Sequence, residues 1–192
     1  MNYIFDIGNV LVDYNPKKFL ANLFTDRKIA DKIYNLIFLS PEWLSMDAGT
    51  LTREQASEIF CAKEPGLQTE IELTMQNINS IFTPKQDTIK LLPKIKKAGH
   101  RLYYLSNIHK EIRDYLLKEH DYFKFFDGGV FSCDVNMIKP SPGIYQHLLE
   151  KYNLSAETCI FYDDMKENAE AAQKEGINGV IFKIAECVQI FC

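Results

Sequence analysis

The stretch Tyr3-Ile4-Phe5-Asp6-Ile7-Gly8-Asn9-Val10-Leu11 decides how the remainder of the chain is read. Ahead of Gly8, four residues, Tyr3, Ile4, Phe5 and Ile7, carry aromatic or β-branched side chains, and a Gly-Asn pair follows at once. A short apolar run ended by Gly and Asn predicts a buried strand that stops in a tight turn. Asp6 then sits near the carboxyl end of that strand, the edge at which open α/β sheets bind ligands. A carboxylate so close to a buried strand needs a compensating partner, because an unpaired buried charge is costly.

Beyond the connection Val12-Asp13-Tyr14-Asn15-Pro16 the character of the chain changes. Residues 17–24, 27–39, 52–63 and 68–82 place apolar side chains at helical spacing, as with Ile29, Ile33, Leu36 and Ile37, or Ile71, Met75, Ile78 and Ile81. Thr25-Asp26, Ser40-Pro41 and Thr50-Leu51-Thr52 signal helix starts, and Glu64-Pro65-Gly66 signals a stop. No strand is expected in this block, which reads as a small helical bundle. From Pro84 onward helices (85–98, 110–120, 143–152, 166–175) alternate with strands (101–105, around 129–132, 158–162, 179–182). Such alternation predicts a parallel sheet with helices on both faces. The expected fold class is therefore α/β: a three-layer, Rossmann-like core formed by residues 1–14 and 84–192, with a helical cap inserted at 15–83. An insertion just past a strand's carboxyl end lies over the ligand crevice, as a lid would.

A length of 192 residues suits one large domain or one domain with an insertion. The net charge of −4 and the lack of a basic run exclude a general nucleic-acid binder. Lys94, Lys96 and Lys97 read as the solvated face of a helix. No apolar stretch is long enough to span a bilayer. The N-terminus lacks a basic segment and its apolar run is broken at Asp6, so no leader is expected. The five cysteines are odd in number and scattered without a CxxC pair, which is neither a disulfide framework nor a zinc site. Reduced thiols in a cytoplasmic protein are expected, and Cys192 does not stand where a prenylated cysteine would. The partner expected is a small molecule, with no nucleic acid and no membrane; monomer and homodimer remain equally open.

Three strands in this reading end in polar residues: the first in Asp6, the next in Ser106-Asn107, a later one in Asp163-Asp164. Lys139 occupies a loop before a helix. In a parallel sheet these ends point the same way, so the groups can converge. Asp6 and Asp164 suit a hard cation such as Mg²⁺. Lys139, the Ser106 hydroxyl and the free N–H groups after Asp6 suit phosphoryl oxygens. A carboxylate beside such a phosphate can act as nucleophile and form an aspartyl-phosphate. Adjacent Asp163 and Asp164 repel each other unless a cation compensates.

These motifs resemble those of the haloacid dehalogenase superfamily over essentially the whole chain. Phe5-Asp6-Ile7-Gly8-Asn9-Val10-Leu11, Leu105-Ser106-Asn107, Lys139-Pro140 and Phe161-Tyr162-Asp163-Asp164, with Asn168 after the last, stand in the family order. Lys139-Pro140-Ser141-Pro142-Gly143-Ile144-Tyr145 is similar to the third family motif, and the helical block stands where the family carries its helical cap. The resemblance implies a Mg²⁺-dependent phosphohydrolase in which Asp6 is the nucleophile and Lys139 neutralises phosphate and holds Asp6. It places Asn9, Ser106, Asn107 and Lys139 on the substrate. It gives the metal Asp6, the Gly8 carbonyl, Asp164 directly, and Asp163 directly or through water.

One position departs from the pattern. Most phosphatases of the family carry an acid/base Asp two residues after the nucleophile, where this chain has Gly8. General acid–base assistance is typically worth about 10²–10⁴-fold in rate. The Asp-x-Gly-Asn-Val variant is similar to the first motif of bacterial phosphatases acting on α-D-glucose 1-phosphate, whose anomeric leaving oxygen needs less help. A hexose 1-phosphate is the expected substrate type. Asp13 and His109 are candidate replacements for the missing group, and Trp43, Met46, Asp47 and Arg53 are cap residues that can face the crevice. The alternatives are hydrolysis at carbon, as in 2-haloacid dehalogenases, or a phosphate-binding regulatory protein impaired at Gly8.

Overall fold

The computed structural model describes residues 1–191; Cys192 lies outside the described residues. In chain order, strands β1 (Asn2–Phe5) and β2 (Val12–Asp13) lead into helices α1 (Pro16–Leu23), α2 (Arg27–Ile33), α3 (Pro41–Asp47), α4 (Arg53–Lys63) and α5 (Gln68–Asn77). Strand β3 (Thr83–Pro84) closes this block, and α6 (Gln86–Ile89), α7 (Leu92–Lys97), β4 (Arg101–Ser106) and α8 (Lys110–Glu119) follow. The chain continues through β5 (Gly128–Phe131), α9 (Ser132–Val135), α10 (Pro142–Tyr152), β6 (Cys159–Asp163), α11 (Lys166–Lys174), β7 (Asn178–Ile181) and α12 (Ile184–Phe191).

β1 is the centre of a five-stranded parallel sheet of order β5-β4-β1-β6-β7. Tyr3 and Phe5 enter one apolar layer and Ile4 the other, so the strand is buried on both faces, as parallel strands covered by helices are. Ile144, Tyr145 and Leu148 of α10 and Ala172 of α11 cover one face. Leu92 and Ile95 of α7, Ile112 and Leu116 of α8, and Cys187 of α12 cover the other. The result is the expected three-layer α/β fold. Phe5 lies opposite Tyr104 of β4 and Tyr162 of β6. Carried one residue further, that register sets Asp6 level with Leu105 and Asp163, which brings three strand ends to one place.

β2 and β3 pair antiparallel, Val12 with Pro84 and Asp13 with Thr83, at the base of the helical cap. The apolar layer around Phe5 runs on without a break through Leu11 and Val12 to Ile33, Trp43, Phe60 and Ile71 in the cap helices.

Several local expectations are corrected. No strand was expected between the opening one and Pro84, yet β2 and β3 form a stalk; two residues apiece are too few to show alternation. The segment 85–98 is split into α6 and α7, because Pro93, near the start of α7, has no N–H to continue a helix from above. The last part of 27–39 widens into a π-helical turn at Tyr34–Phe38. α3 forms behind the start signal at Ser40, whose hydroxyl accepts the Trp43 N–H at 3.1 Å; seven residues are too short for a visible period. Strand β5 ends at Phe131, one residue before the expected Ser132, which opens α9.

Candidate active site

The partner that Asp6 requires is Lys139. Its Nζ lies 2.8 Å from Asp6 Oδ1 and 2.7 Å from Asp163 Oδ2, and it donates to the Leu105 carbonyl at 2.9 Å. All three charged groups are buried, at 7% exposure for Asp6, 3% for Lys139 and 0% for Asp163, so each depends on the others for compensation. Burial alone would push the Lys139 ammonium down; the two carboxylates outweigh it and hold the ammonium above its ordinary value. Burial raises the Asp6 carboxyl to about 6, against the pull of Lys139.

Asp163 is saturated. Its Oδ2 takes bonds from Lys139 and from Asn168 Nδ2, and its Oδ1 takes the Met165 N–H at 2.8 Å and Asn168 Nδ2 at 3.1 Å. Asp164 is partly exposed, and burial still raises its carboxyl while a bond from Asn9 opposes the rise. Ligand oxygens of Asp6, Asp163 and Asp164 lie within 4.8 Å of one another. An all-oxygen donor set of this kind fits a hard cation such as Mg²⁺.

The substrate-binding expectations are refined. Asn9 stands at φ +53°, a backbone region that Asn tolerates. Its Nδ2 donates to Asp164 Oδ2 at 2.9 Å and its Oδ1 accepts the Tyr14 N–H at 3.0 Å. Asn9 thus ties the acidic cluster to the stalk. Ser106 is buried at the end of β4, beside Asp6's strand. Asn107, expected at the substrate beside Ser106, is bonded to the Lys139 backbone. It donates to the Lys139 carbonyl at 2.9 Å and accepts the Lys139 N–H at 2.8 Å, which fixes the loop that presents the lysine. No Cβ is present at Gly8, and one placed there would meet nothing within 4 Å.

The two proposed substitutes for an acid/base sit differently. Asp13 is exposed on the stalk with Lys85 Nζ at 3.5 Å. His109 is buried, its ring edge-on to Trp43 at 5.2 Å and its Nδ1 3.4 Å from Glu111 Oε2, and burial pushes its pKa down. Trp43 is buried where the cap meets the core. Met46 is buried beside it, and Arg53 donates to Asn79 Oδ1 at 2.7 Å while its N–H meets Glu111 of α8.

Asp47, the last residue of α3, is buried, and burial raises its carboxyl to about 7, opposed by a hydrogen bond from the Trp43 side chain. Asp6 and Lys139 are both near enough to act on it by charge. Ser132, which sequence reasoning passed over, accepts the Ile108 N–H at 2.9 Å and donates to the Asp47 carbonyl at 2.5 Å. A lone serine after a strand carries no signal of such a bridge. Asn136 adds a bond to the Ala48 carbonyl at 2.8 Å.

A model of the haloacid dehalogenase-like hydrolases matches residues 2–176. The chain belongs to this family. It is 28% identical to a sesquiterpene phosphatase of Aspergillus oryzae over 97% of its own length and 93% of that protein's. A phosphorylated carbohydrates phosphatase of Thermotoga maritima is 38% identical over 33% of this chain and 30% of its own. The fold matches that of a HAD family enzyme of Bacteroides thetaiotaomicron, solved with magnesium and inorganic phosphate, at a TM-score of 0.75 and 20% identity, covering 95% of this chain and 94% of that one.

In this haloacid dehalogenase-like hydrolase a cavity of about 610 Å³ lies between the stalk, α1 and the end of α5, and Asn9 joins it to the acidic cluster. Its wall includes Tyr14, Lys18, Asn22, Asn77 and Ser80. Among the described residues no helix is long and apolar enough to cross a membrane.

Proposed function

We propose that this hydrolase is a Mg²⁺-dependent phosphatase acting on a small phosphorylated metabolite, a sugar phosphate of the hexose 1-phosphate type. The observation that carries the reading is the Asp6–Lys139–Asp163 chain at the ends of adjacent strands. Lys139 keeps Asp6 ionised despite burial, and an ionised carboxylate is what nucleophilic attack requires.

Asp6 attacks phosphorus, the bond to the leaving oxygen breaks, and an aspartyl-phosphate forms. Water then attacks that phosphorus, the bond to Asp6 breaks, and inorganic phosphate leaves. Ser106 and the N–H groups after Asp6 hold the phosphoryl oxygens, and Lys139, whose three N–H bonds go to Asp6, Asp163 and the Leu105 carbonyl, neutralises them by its charge, which stabilises the transition state. Asp6, Asp164 and the Gly8 carbonyl would hold Mg²⁺, with the saturated Asp163 acting through water. The ion supplies neutralisation of the phosphoryl charge. Asn9 and Asn107 support these groups, Asn9 with its second N–H free for substrate.

The sugar reading rests on the Asp6-Ile7-Gly8-Asn9-Val10 motif, which is similar to that of sugar 1-phosphate phosphatases; the cavity offers Asn22 and Lys18 to a polyhydroxylated leaving group beside apolar Phe19, Leu23 and Ile81. The helical cap at 15–83 is read as the lid over that site. Free thiols at Cys61, Cys133, Cys159 and Cys187 accord with a cytoplasmic setting. The test is turnover of hexose phosphates and of an isoprenoid phosphate, with Mg²⁺ or with chelator, by wild type and Asp6→Asn. Hexose phosphate turnover lost in both chelator and Asp6→Asn is expected. Turnover surviving either treatment overturns the mechanism, preference for the isoprenoid ester overturns the substrate class, and metal-free halide release from a 2-haloacid overturns both.

A further inference from the structure

We propose that Asp47, carried into the core site by the cap helix α3, is the proton donor and acceptor of the reaction. The proposal rests on the phosphatase reading above. An alcohol leaving from phosphorus at neutral pH needs a proton, and the water that follows must lose one. The groups at the strand ends do not supply it. Lys139 is held charged between two carboxylates, Asp163 is saturated with donors, Asp6 is the attacking group and Asp164 is engaged by Asn9. Gly8 has no side chain, and the space where one would project is empty. Asp13 points its charge to Lys85 on the stalk, and His109 is enclosed by Trp43 and Glu111.

Asp47 is located by the groups whose charges reach it or that it reaches. They are Asp6 and Lys139 in the core, Cys133 within α9, and Tyr14 at the stalk. Ser132, which bonds the Asp47 carbonyl, follows β5, and Ile108, whose N–H it accepts, follows β4, so the end of α3 lies over the carboxyl edge of the sheet that also carries Asp6. The backbone there is fixed: Ser132 holds the Asp47 carbonyl and Asn136 the Ala48 carbonyl. Gly49 follows at φ +71°, packed so closely on the Cys133 carbonyl that a Cβ would not fit. Two bonds and one glycine therefore dock one end of α3 on the core. Burial also holds the carboxyl near neutrality, so that it can donate and accept in turn.

In the first half-reaction the protonated Asp47 carboxyl gives its proton to the leaving oxygen as the phosphorus–oxygen bond breaks and Asp6 becomes phosphorylated. In the second, the Asp47 carboxylate takes a proton from water as that water bonds to phosphorus and the Asp6–phosphorus bond breaks. Asp47 ends protonated, Asp6 ends as a carboxylate, and the products are an alcohol and inorganic phosphate. The acid/base group is thus supplied by the cap, and the docking of α3 on the core completes the site.

The test compares wild type, Asp47→Asn and the double variant Gly8→Asp/Asp47→Asn on 4-nitrophenyl phosphate, phenyl phosphate and glucose 1-phosphate, with circular dichroism to establish folding. Asp47→Asn is expected to lose about 10²–10⁴-fold on the esters with poor leaving groups. On 4-nitrophenyl phosphate it is expected to give a burst of one nitrophenol per enzyme, followed by slow turnover and a trappable phosphoenzyme. Gly8→Asp is expected to restore part of the loss by returning a carboxyl to the open space. A folded Asp47→Asn variant with equal losses on all esters and no burst overturns the proposal alone. Wild type without turnover of any phosphate overturns the phosphatase reading, and the proposal with it.

Discussion

At the scale of single residues, Lys139 is the cation on which two buried carboxylates depend. Removing one partner of a buried ion network typically costs about 3–5 kcal/mol, because the charges left behind stay desolvated. Lys139→Ala is expected to lose stability of that order in chemical denaturation, whereas exposed Lys118→Ala is expected to stay within about 0.5 kcal/mol. Asp47 gives a pH signature of the opposite kind. Its carboxyl binds a proton up to about 7 when folded, and near the ordinary carboxylate value when unfolded. Between those values the native state holds more protons, so its contribution is full at low pH and is lost as pH rises toward 7 and above. Denaturation in chelator at pH 4, 6 and 8 is expected to show Asp47→Asn gaining on wild type as pH rises, by a few kcal/mol in total. Sequence alone supplied Asp6, Ser106, Lys139, Asp163 and Asp164, since each ends a strand or lies in a loop at the same sheet edge. It placed Asp47 only among four cap residues that can face the crevice, and it did not reveal that Asn107 clasps Lys139 or that Asp47 is the one buried within reach of the Asp6 charge, because both depend on how distant loops approach.

At the scale of elements, α3 and its docking turn decide whether the cap engages the core. Gly49→Ala places a methyl against the Cys133 carbonyl at a positive φ, a strained backbone that costs roughly 1–3 kcal/mol. It is expected to lower the melting temperature and to reduce kcat/KM by about 10-fold or more on hexose phosphates, while the sheet's circular dichroism is unchanged. The five core strands and the long helices were legible because each spans enough residues to display its period. α3, the stalk and the break at Pro93 were not, since two to seven residues show no repeat and only tertiary contacts select their shape. The continuous apolar layer from Phe5 to the cap was likewise invisible, because the residues that meet in it lie far apart along the chain.

At the scale of the whole molecule, three carboxylates gathered over a sheet edge repel one another, and a bound cation should stabilise the fold. Mg²⁺ at about 100 times its dissociation constant is expected to add about 2.7 kcal/mol to unfolding free energy, and Asp164→Ala to abolish most of that gain. A thermal shift titration reads both. The parallel order explains why the site forms at all: the central position of β1 puts Asp6 between the ends of β4 and β6. The stalk has a different consequence. Because β2 and β3 leave the core side by side, the sheet registers the inserted chain only as a gap between two neighbouring residues, Asp13 and Thr83. Helices can therefore be lengthened, exchanged or rotated in the insertion without any change of strand order. Substitutions within the insertion can thus change what fits above the sheet edge while the groups at the strand ends keep their places.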